Sequence, residues 1–249
     1  MRELSLFTGA GGGLLGTKLL GWEPIGYVEW NQYCQKIIRQ RIIDGFLPNA
    51  PIFGDIRAFI SEGYAASYTG LVDVITGGFP CQPFSNAGKR LGADDHRNMF
   101  PETAECIRVI RPKYAYLENV AAITSNEYFG TILATLSSMG YRYRWGTLGG
   151  GAINNAVNGE RVWILATSSD CAMLEGVDVQ KHFFAYSEES RRRQYSGAVG
   201  AMLSQDDYAE IKRNPDVVSR GMDRLKAIGN AQIPIVAATA WRILSGNII

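Results

Sequence analysis

Glu3-Leu4-Ser5-Leu6-Phe7-Thr8-Gly9-Ala10-Gly11-Gly12-Gly13-Leu14-Leu15 is the stretch whose reading decides the fold. Residues 3–7 read as a strand, and Leu14, Leu15, Leu19 and Leu20 follow the glycines at helical spacing. A strand, a glycine-rich turn and a helix in that order form the first unit of a doubly wound nucleotide-binding sheet. Glycines let the backbone approach a ligand closely, and the helix start offers N–H groups without intrahelical partners. The expected class is therefore α/β, with a candidate cofactor loop at the first strand-to-helix turn.

The rest of the chain extends that pattern. Residues 24–29 form a second expected strand, ending in Glu29 with Trp30 beyond it. An acid there either binds ribose hydroxyls or serves the start of the helix that follows through about residue 44. A short third strand over residues 52–56 leaves Asp55 at its exit, facing a ligand or capping a helix. Residues 71–76 are apolar and β-branched, and read as a buried fourth strand. Gly77-Gly78 are expected to release the chain from the sheet into Phe79-Pro80-Cys81-Gln82-Pro83-Phe84-Ser85. Two prolines stiffen this loop on either side of one cysteine. Cys81 is then either an inert buried thiol or one held at a strand end, where open α/β sheets bind ligands. The loop runs on through residues 89–97 without clear periodicity, a length that is uncommon unless functional.

Residues 100–110 have helical spacing, with Pro101 in the first turn and Pro112 closing the helix. A fifth strand over 113–117 ends in Glu118-Asn119-Val120, and a helix is expected near 128–139. Residues 141–148 and 161–166 read as two strands that pair, joined across Gly149-Gly150-Gly151. Residues 167–221 are polar, carry both charge signs and show no sustained periodicity. Arg191-Arg192-Arg193 and Lys212-Arg213 lie there, near Tyr186 and Tyr195, as solvated surface or as a nucleic-acid contact. Residues 222–244 are mostly helical in pattern, interrupted by Gly229-Asn230. This suggests a catalytic and cofactor-binding domain over 1–166, a small recognition region over 167–221, and a C-terminal helical segment over 222–249 packing back on the first.

Composition narrows the function classes. With 249 residues, 46% hydrophobic and 20% charged, the chain is of ordinary globular type, and its net charge of +1 excludes a polycation. Binding to nucleic acid must then rest on local positive charge. No run of about 18 apolar residues suggests a membrane span. The four cysteines form no CxxC pair and there are only two histidines, so neither a metal site nor a disulfide framework is expected. Met1-Arg2-Glu3 leads straight into the first strand with no room for a signal peptide, and a reducing cytoplasm is the expected compartment.

Four segments together resemble the DNA (cytosine-5) methyltransferase family, over nearly the whole chain. Phe7-Thr8-Gly9-Ala10-Gly11-Gly12 resembles its methyl-donor loop, and residues 77–85 its Pro-Cys loop. Glu118-Asn119-Val120 resembles its ENV motif, and Ala227-Ile228-Gly229-Asn230-Ala231 its C-terminal GN motif. Residues 188–234 are similar to small phage- or prophage-encoded members. The resemblance implies a Rossmann-like S-adenosylmethionine-dependent fold, with a mixed, mostly parallel sheet and a small irregular target-recognition region. It implies that Cys81 attacks C6 of a flipped-out cytosine in double-stranded DNA and that Glu118 neutralises N3 and the exocyclic amine. Arg161 would approach O2 of the base. The donor, leaving as S-adenosylhomocysteine, would lie on Phe7, Thr8, Gly9, Ala10 and Gly11, with its ribose on Glu29. Its adenine would meet Trp30, Phe79 and Asp55, with Ile56, Pro80, Met99 and Asn230 completing the pocket. Gln82, Ser85, Arg97, Asn119, Arg191 and Arg192 fall to the DNA side. No metal is implied, and the resemblance points to a monomer on DNA in a bacterial cell or phage-infected host.

One departure stands out. The family's Gln-x-Arg-x-Arg motif is represented by Val157, Gly159 and Arg161, so only the last arginine is kept. Alternatives are RNA cytosine C5-methylation by the same core, and a DNA-binding relative with weak or no turnover. A nicotinamide-dependent oxidoreductase gives Cys81 and Glu118 no task.

Overall fold

A computed structural model of the chain describes residues 1–80, 98–150, 159–171 and 232–246. The described strands are β1 (Arg2–Leu6), β2 (Glu23–Val28), β3 (Ile52–Phe53), β4 (Val74–Gly78), β5 (Tyr114–Val120), β6 (Tyr141–Leu148) and β7 (Arg161–Ser168). They form one sheet in the order β3-β2-β1-β4-β5-β7-β6. The pairings are parallel up to β5, while β7 runs antiparallel to both β5 and β6. Strand order reverses at β1, which lies between β2 and β4. Open sheets of this kind bind ligands outside the carboxyl ends of the strands beside such a reversal.

Helices α1 (Gly12–Leu19), α2 (Gln32–Ile43), α3 (Ile56–Ser61), α4 (Tyr64–Ser67), α5 (Phe100–Ile110), α6 (Glu127–Ser138) and α7 (Pro234–Ser245) cover the sheet. Local chemistry fixes their ends. Asn31 caps α2 by accepting from Cys34 N at 3.1 Å, and Asn126 caps α6 by accepting from Tyr128 N at 2.9 Å. Helix α5 starts on a proline turn and stops at Arg111, whose φ of 54° no helix continues, just before Pro112. On one sheet face Leu4, Ile75 and Leu117 pack with Phe59, Ile107 and Ile132 from α3, α5 and α6. On the other, Val74, Tyr116 and Trp163 pack with Trp241 and Leu244 from α7. Tyr116 and Trp163 stack at 5.4 Å between centroids, and the Tyr116 hydroxyl donates to Ala237 O at 2.7 Å. Helices α1 and α7 touch backbone to backbone: a Cβ at Gly16 would lie 2.6 Å from Pro234 O.

Two sequence expectations change. Gly77 and Gly78 do not release the chain; they are the last residues of β4 and pair with Leu117 and Glu118. A Cβ at Gly78 would lie 2.6 Å from Glu118 Oε2, so a larger residue there would displace that carboxyl. Likewise β5 runs on through Glu118 to Val120, since its antiparallel ladder with β7 continues to Arg161. The expected pairing of the two late strands is present as β6 with β7. Most of the expected recognition region lies outside the described residues.

Glu3 is fully buried on β1, accepting 2.6 Å hydrogen bonds from the Thr17 and Thr76 hydroxyls. Burial pushes its carboxyl from 4.5 to about 7. The folded state then holds a proton that the unfolded chain has released, so stability falls as pH rises from 4.5 through 7. Glu29 and Glu118 act in the same direction, so the comparison is with Glu3→Gln. Relative to that variant, the wild type should lose about 3 kcal/mol of stability between pH 4.5 and 8, read from urea unfolding at each pH. A constant difference across that range would show that Glu3 does not titrate as its burial requires.

Candidate active site

The carboxyl ends of β1, β2, β4 and β5 surround a cavity of about 410 Å³. One side of it is lined by Phe7, Thr8, Gly9 and Ala10 with Glu29 and Trp30, while Gly11, also expected there, is not on its wall. Phe7 leaves β1 with φ 50°, a left-handed conformation that strains a residue with a side chain, and Gly9 and Gly11 continue at 57° and 82°. The turn is pinned in place. Thr8 N donates to Val28 O at 3.1 Å, the Thr8 hydroxyl to Ser5 O at 3.0 Å, and Gly11 N to Thr8 O at 3.0 Å. Arg41 Nη1 on α2 donates to Gly11 O at 3.3 Å.

Glu29 closes the turn from the end of β2. Its Oε2 accepts from Gly9 N at 2.5 Å and its Oε1 from Asn31 N at 2.7 Å, so the carboxylate serves both the glycine turn and the start of α2. Burial raises its pKa against the pull of those two N–H groups. Trp30, next along, is 74% exposed although it is the largest kind of side chain and lies on the cavity wall. Such exposure leaves an indole face free for a ring to stack on.

On the opposite wall stands Glu118, 8% exposed. In the β5–β7 register it faces Trp163, and Arg161 lies two residues further along the same face of β7. Arg161 Nε comes to 2.9 Å from Glu118 Oε1, and Gln232 Nε2 donates to Oε2 at 3.3 Å. Desolvation outweighs both partners and pushes the carboxyl from 4.5 to about 7. Near neutral pH the group is therefore balanced between proton donor and acceptor. Gly78, Phe79 and Pro80 form the wall between the two sides. Asn119 Nδ2 holds Phe79 O at 3.1 Å, fixing the chain as it leaves β4.

The other expected site residues divide into four groups. Phe79 is 3% exposed, yet both it and Pro80 line the cavity. Asp55, Ile56 and Met99 are not on its wall: Asp55 caps α3 by accepting from Arg57 N at 2.9 Å, and Ile56 and Met99 pack on the core. Asn119, expected on the DNA side, is 3% exposed and turned towards Phe79 O. Cys81, Gln82, Ser85, Arg97, Val157, Arg191, Arg192 and Asn230 lie outside the described residues. Gly159, where the family motif has its first arginine, stands beside Arg161, at 3.4 Å between a notional Cβ and Nη1. Gln232 was missed from sequence. Its only signal is a lone polar residue among Ala231, Ile233, Pro234 and Ile235, just past the GN pair.

The residues present fit S-adenosylmethionine. A strained glycine turn gives backbone access, a buried carboxylate lies where ribose hydroxyls would reach it, and an exposed indole lies beside both. Among the described residues no group of His, Cys, Asp and Glu could hold a metal ion.

Comparison with known proteins bears on most of the chain. A family model described as C-5 cytosine-specific DNA methylase matches residues 1–226. The chain is 34% identical over 146 residues to the type II methyltransferase M.NgoMIV of Neisseria gonorrhoeae, 57% of this chain and 44% of that protein. It is 30% identical over 224 residues to M.NgoBI of the same organism, 88% of this chain and 67% of that one. In the first case the chain spans less than half of its relative's length. Among solved structures, S. pombe Dnmt2 methyltransferase superposes with TM-score 0.56 at 19% identity, covering 74% of this chain and 54% of that one. An Entamoeba histolytica methyltransferase superposes at 0.54 and 16%, covering 72% and 56%. At these identities the likeness is one of fold.

Trp30→Ala should leave thermal stability within about 0.5 kcal/mol, because the side chain is exposed. It should weaken S-adenosylhomocysteine binding roughly tenfold, the loss of one ring stack. Calorimetric titration checks the second point, and unchanged affinity would separate Trp30 from the donor.

Proposed function

The chain belongs to the C-5 cytosine-specific DNA methylase family, and on that premise we propose that it methylates C5 of cytosine in double-stranded DNA. One observation carries this reading: a buried carboxyl balanced near neutral pH shares a single cavity with a glycine turn suited to S-adenosylmethionine. Proton sharing with a base ring and methyl donation would have to meet there.

In this mechanism the Cys81 thiolate adds to C6 of a cytosine turned out of the duplex, since stacked neighbours otherwise cover the ring faces where thiolate and methyl group must approach. Addition pushes electron density towards N3. Glu118 in its protonated form shares its proton with N3 and accepts from the exocyclic amine, so charge does not build up on the ring. Arg161 keeps Glu118 oriented and would approach O2. C5 becomes an enamine-like nucleophile. When bound, S-adenosylmethionine supplies an electrophilic methyl group to that carbon. A water molecule takes the C5 proton, the Cys81 thiolate leaves C6 and the N3 proton returns to Glu118, which restores the aromatic ring. Phe7, Thr8, Gly9, Ala10 and Gly11 would hold the amino-acid end of the donor, Glu29 its ribose, and Trp30 with Phe79 its adenine. Asn230 would close the pocket, and Gln82, Ser85, Arg97, Arg191 and Arg192 would face DNA. Among the described residues no helix is long and apolar enough to cross a membrane. We place the protein in the cytoplasm, acting as a monomer on DNA.

Duplex DNA containing 5-fluorocytosine cannot lose the C5 substituent, so with S-adenosylmethionine it should trap a covalent complex. Wild type should give the adduct and Cys81→Ala none, while the variant keeps donor affinity. No adduct on any DNA would sink the proposed reaction, and transfer to tRNA in preference to duplex DNA would redirect it to RNA. Glu118→Gln should slow methyl transfer by ~10²–10⁴-fold, as for other positioned acids and bases. Single-turnover kinetics with a tritiated donor would measure it, and a rate within threefold of wild type would remove Glu118 from the mechanism.

A further inference from the structure

We infer that Gln232 is a positioning residue that holds the Glu118 carboxyl against the glycine turn and partners it in both of its protonation states. This deepens the function proposed above and rests on it. Two glycines make room for this side chain and a third for its backbone. A Cβ at Gly13 would lie 2.4 Å from Gln232 Oε1, and one at Gly12 would lie 2.4 Å from Gln232 O. A Cβ at Gly78 would lie 3.0 Å from Gln232 Nε2. Gln232 therefore spans the first turn of α1, the end of β4 and the carboxyl of β5, with its Nε2 3.3 Å from Glu118 Oε2. Helix α7 delivers it and is itself tied down, through Pro234 against Gly16 and Ala237 O against the Tyr116 hydroxyl.

The chemistry of the two partners differs. A guanidinium only donates, so Arg161 favours the ionised carboxylate. A primary amide carries both donors and an acceptor. Gln232 donates from Nε2 to the carboxylate as the structure stands. By turning its amide it accepts the O–H of the carboxylic acid, while the NH2 group moves to the Gly13 side. A partner of this kind lets Glu118 pass its proton to and from a base without leaving a buried polar atom unsatisfied at either stage. Among the described residues the titratable groups acting with Glu118 are Arg161 on β7 and Tyr116 on β5. Arg161 and the Gln232 amide both hold its pKa down against burial.

The test compares wild type with Gln232→Leu, which is similar in size but apolar, and Gln232→Glu, which sets a second carboxyl beside the first. The Glu118 carboxyl is followed by infrared titration, its band identified as the one missing in Glu118→Gln, and methyl transfer to duplex DNA is measured across pH. In Gln232→Leu the Glu118 titration should move up by about one unit, with a similar upward shift of the alkaline limb of the rate profile. The rate should fall roughly tenfold while S-adenosylhomocysteine affinity stays within about threefold. Gln232→Glu should move the titration further up, by like-charge repulsion. A titration unmoved in both variants, whatever the rate, would reduce Gln232 to packing and overturn the inference. If Gln232→Leu fails to fold, the direction of shift in Gln232→Glu decides. Wild-type protein inert on every DNA would count against the proposed reaction alone, since the infrared titration needs no turnover.

Discussion

Placing the Glu118 carboxyl in the wall of a cavity removes it from water, and that desolvation is worth several kcal/mol for an ionised group before its partners act. The surrounding architecture is arranged to relieve it. An antiparallel β7 lets Arg161 come back along the same face and reach Oε1. A helix returning from the far end of the chain brings Gln232 to Oε2. Glycine at position 78 leaves the space into which the carboxyl points. With all three in place the group remains close to neutrality instead of being driven fully to one form, which is the condition for sharing a proton with a base ring.

The glycine-turn wall of the cavity depends on a different constraint, a backbone forced into left-handed turns directly after β1. Phe7 bears that strain with a full side chain, and the turn persists because Val28 O, Ser5 O and the Glu29 carboxylate hold it from outside. Glu29 and Glu118 thus play parallel parts on opposite walls. Each is a buried carboxyl at a strand end, and each is made tolerable by donors from a neighbouring element. The difference lies in the donors. Backbone N–H groups fix Glu29, whereas side chains that can move surround Glu118.

Much of this was legible in the sequence. The strand–glycine–helix start, the parallel order of the early strands and the late hairpin follow from hydrophobic period and turn residues, and all are present. Glu29, Trp30, Glu118 and Arg161 could be named because each sits at a strand end in a recognisable motif. The misreadings share one cause. Paired glycines read as a strand stop, but Gly77 and Gly78 stay in the ladder, where the missing Cβ serves a neighbour distant in sequence. Gln232 was invisible for the same reason, since its partners lie on β5 and in the first turn of α1 and no local pattern records them. Asp55 had two readings that position alone could not separate, and it is observed as a helix cap.

The central claim is that donor pocket and proton-sharing carboxyl serve one reaction, methylation of cytosine C5 in DNA. Its most direct test is bisulfite sequencing of DNA from cells expressing the wild-type chain, set against cells carrying an empty vector. The account predicts protected cytosines recurring at one short sequence. Complete conversion at every position, indistinguishable from the control, would contradict it.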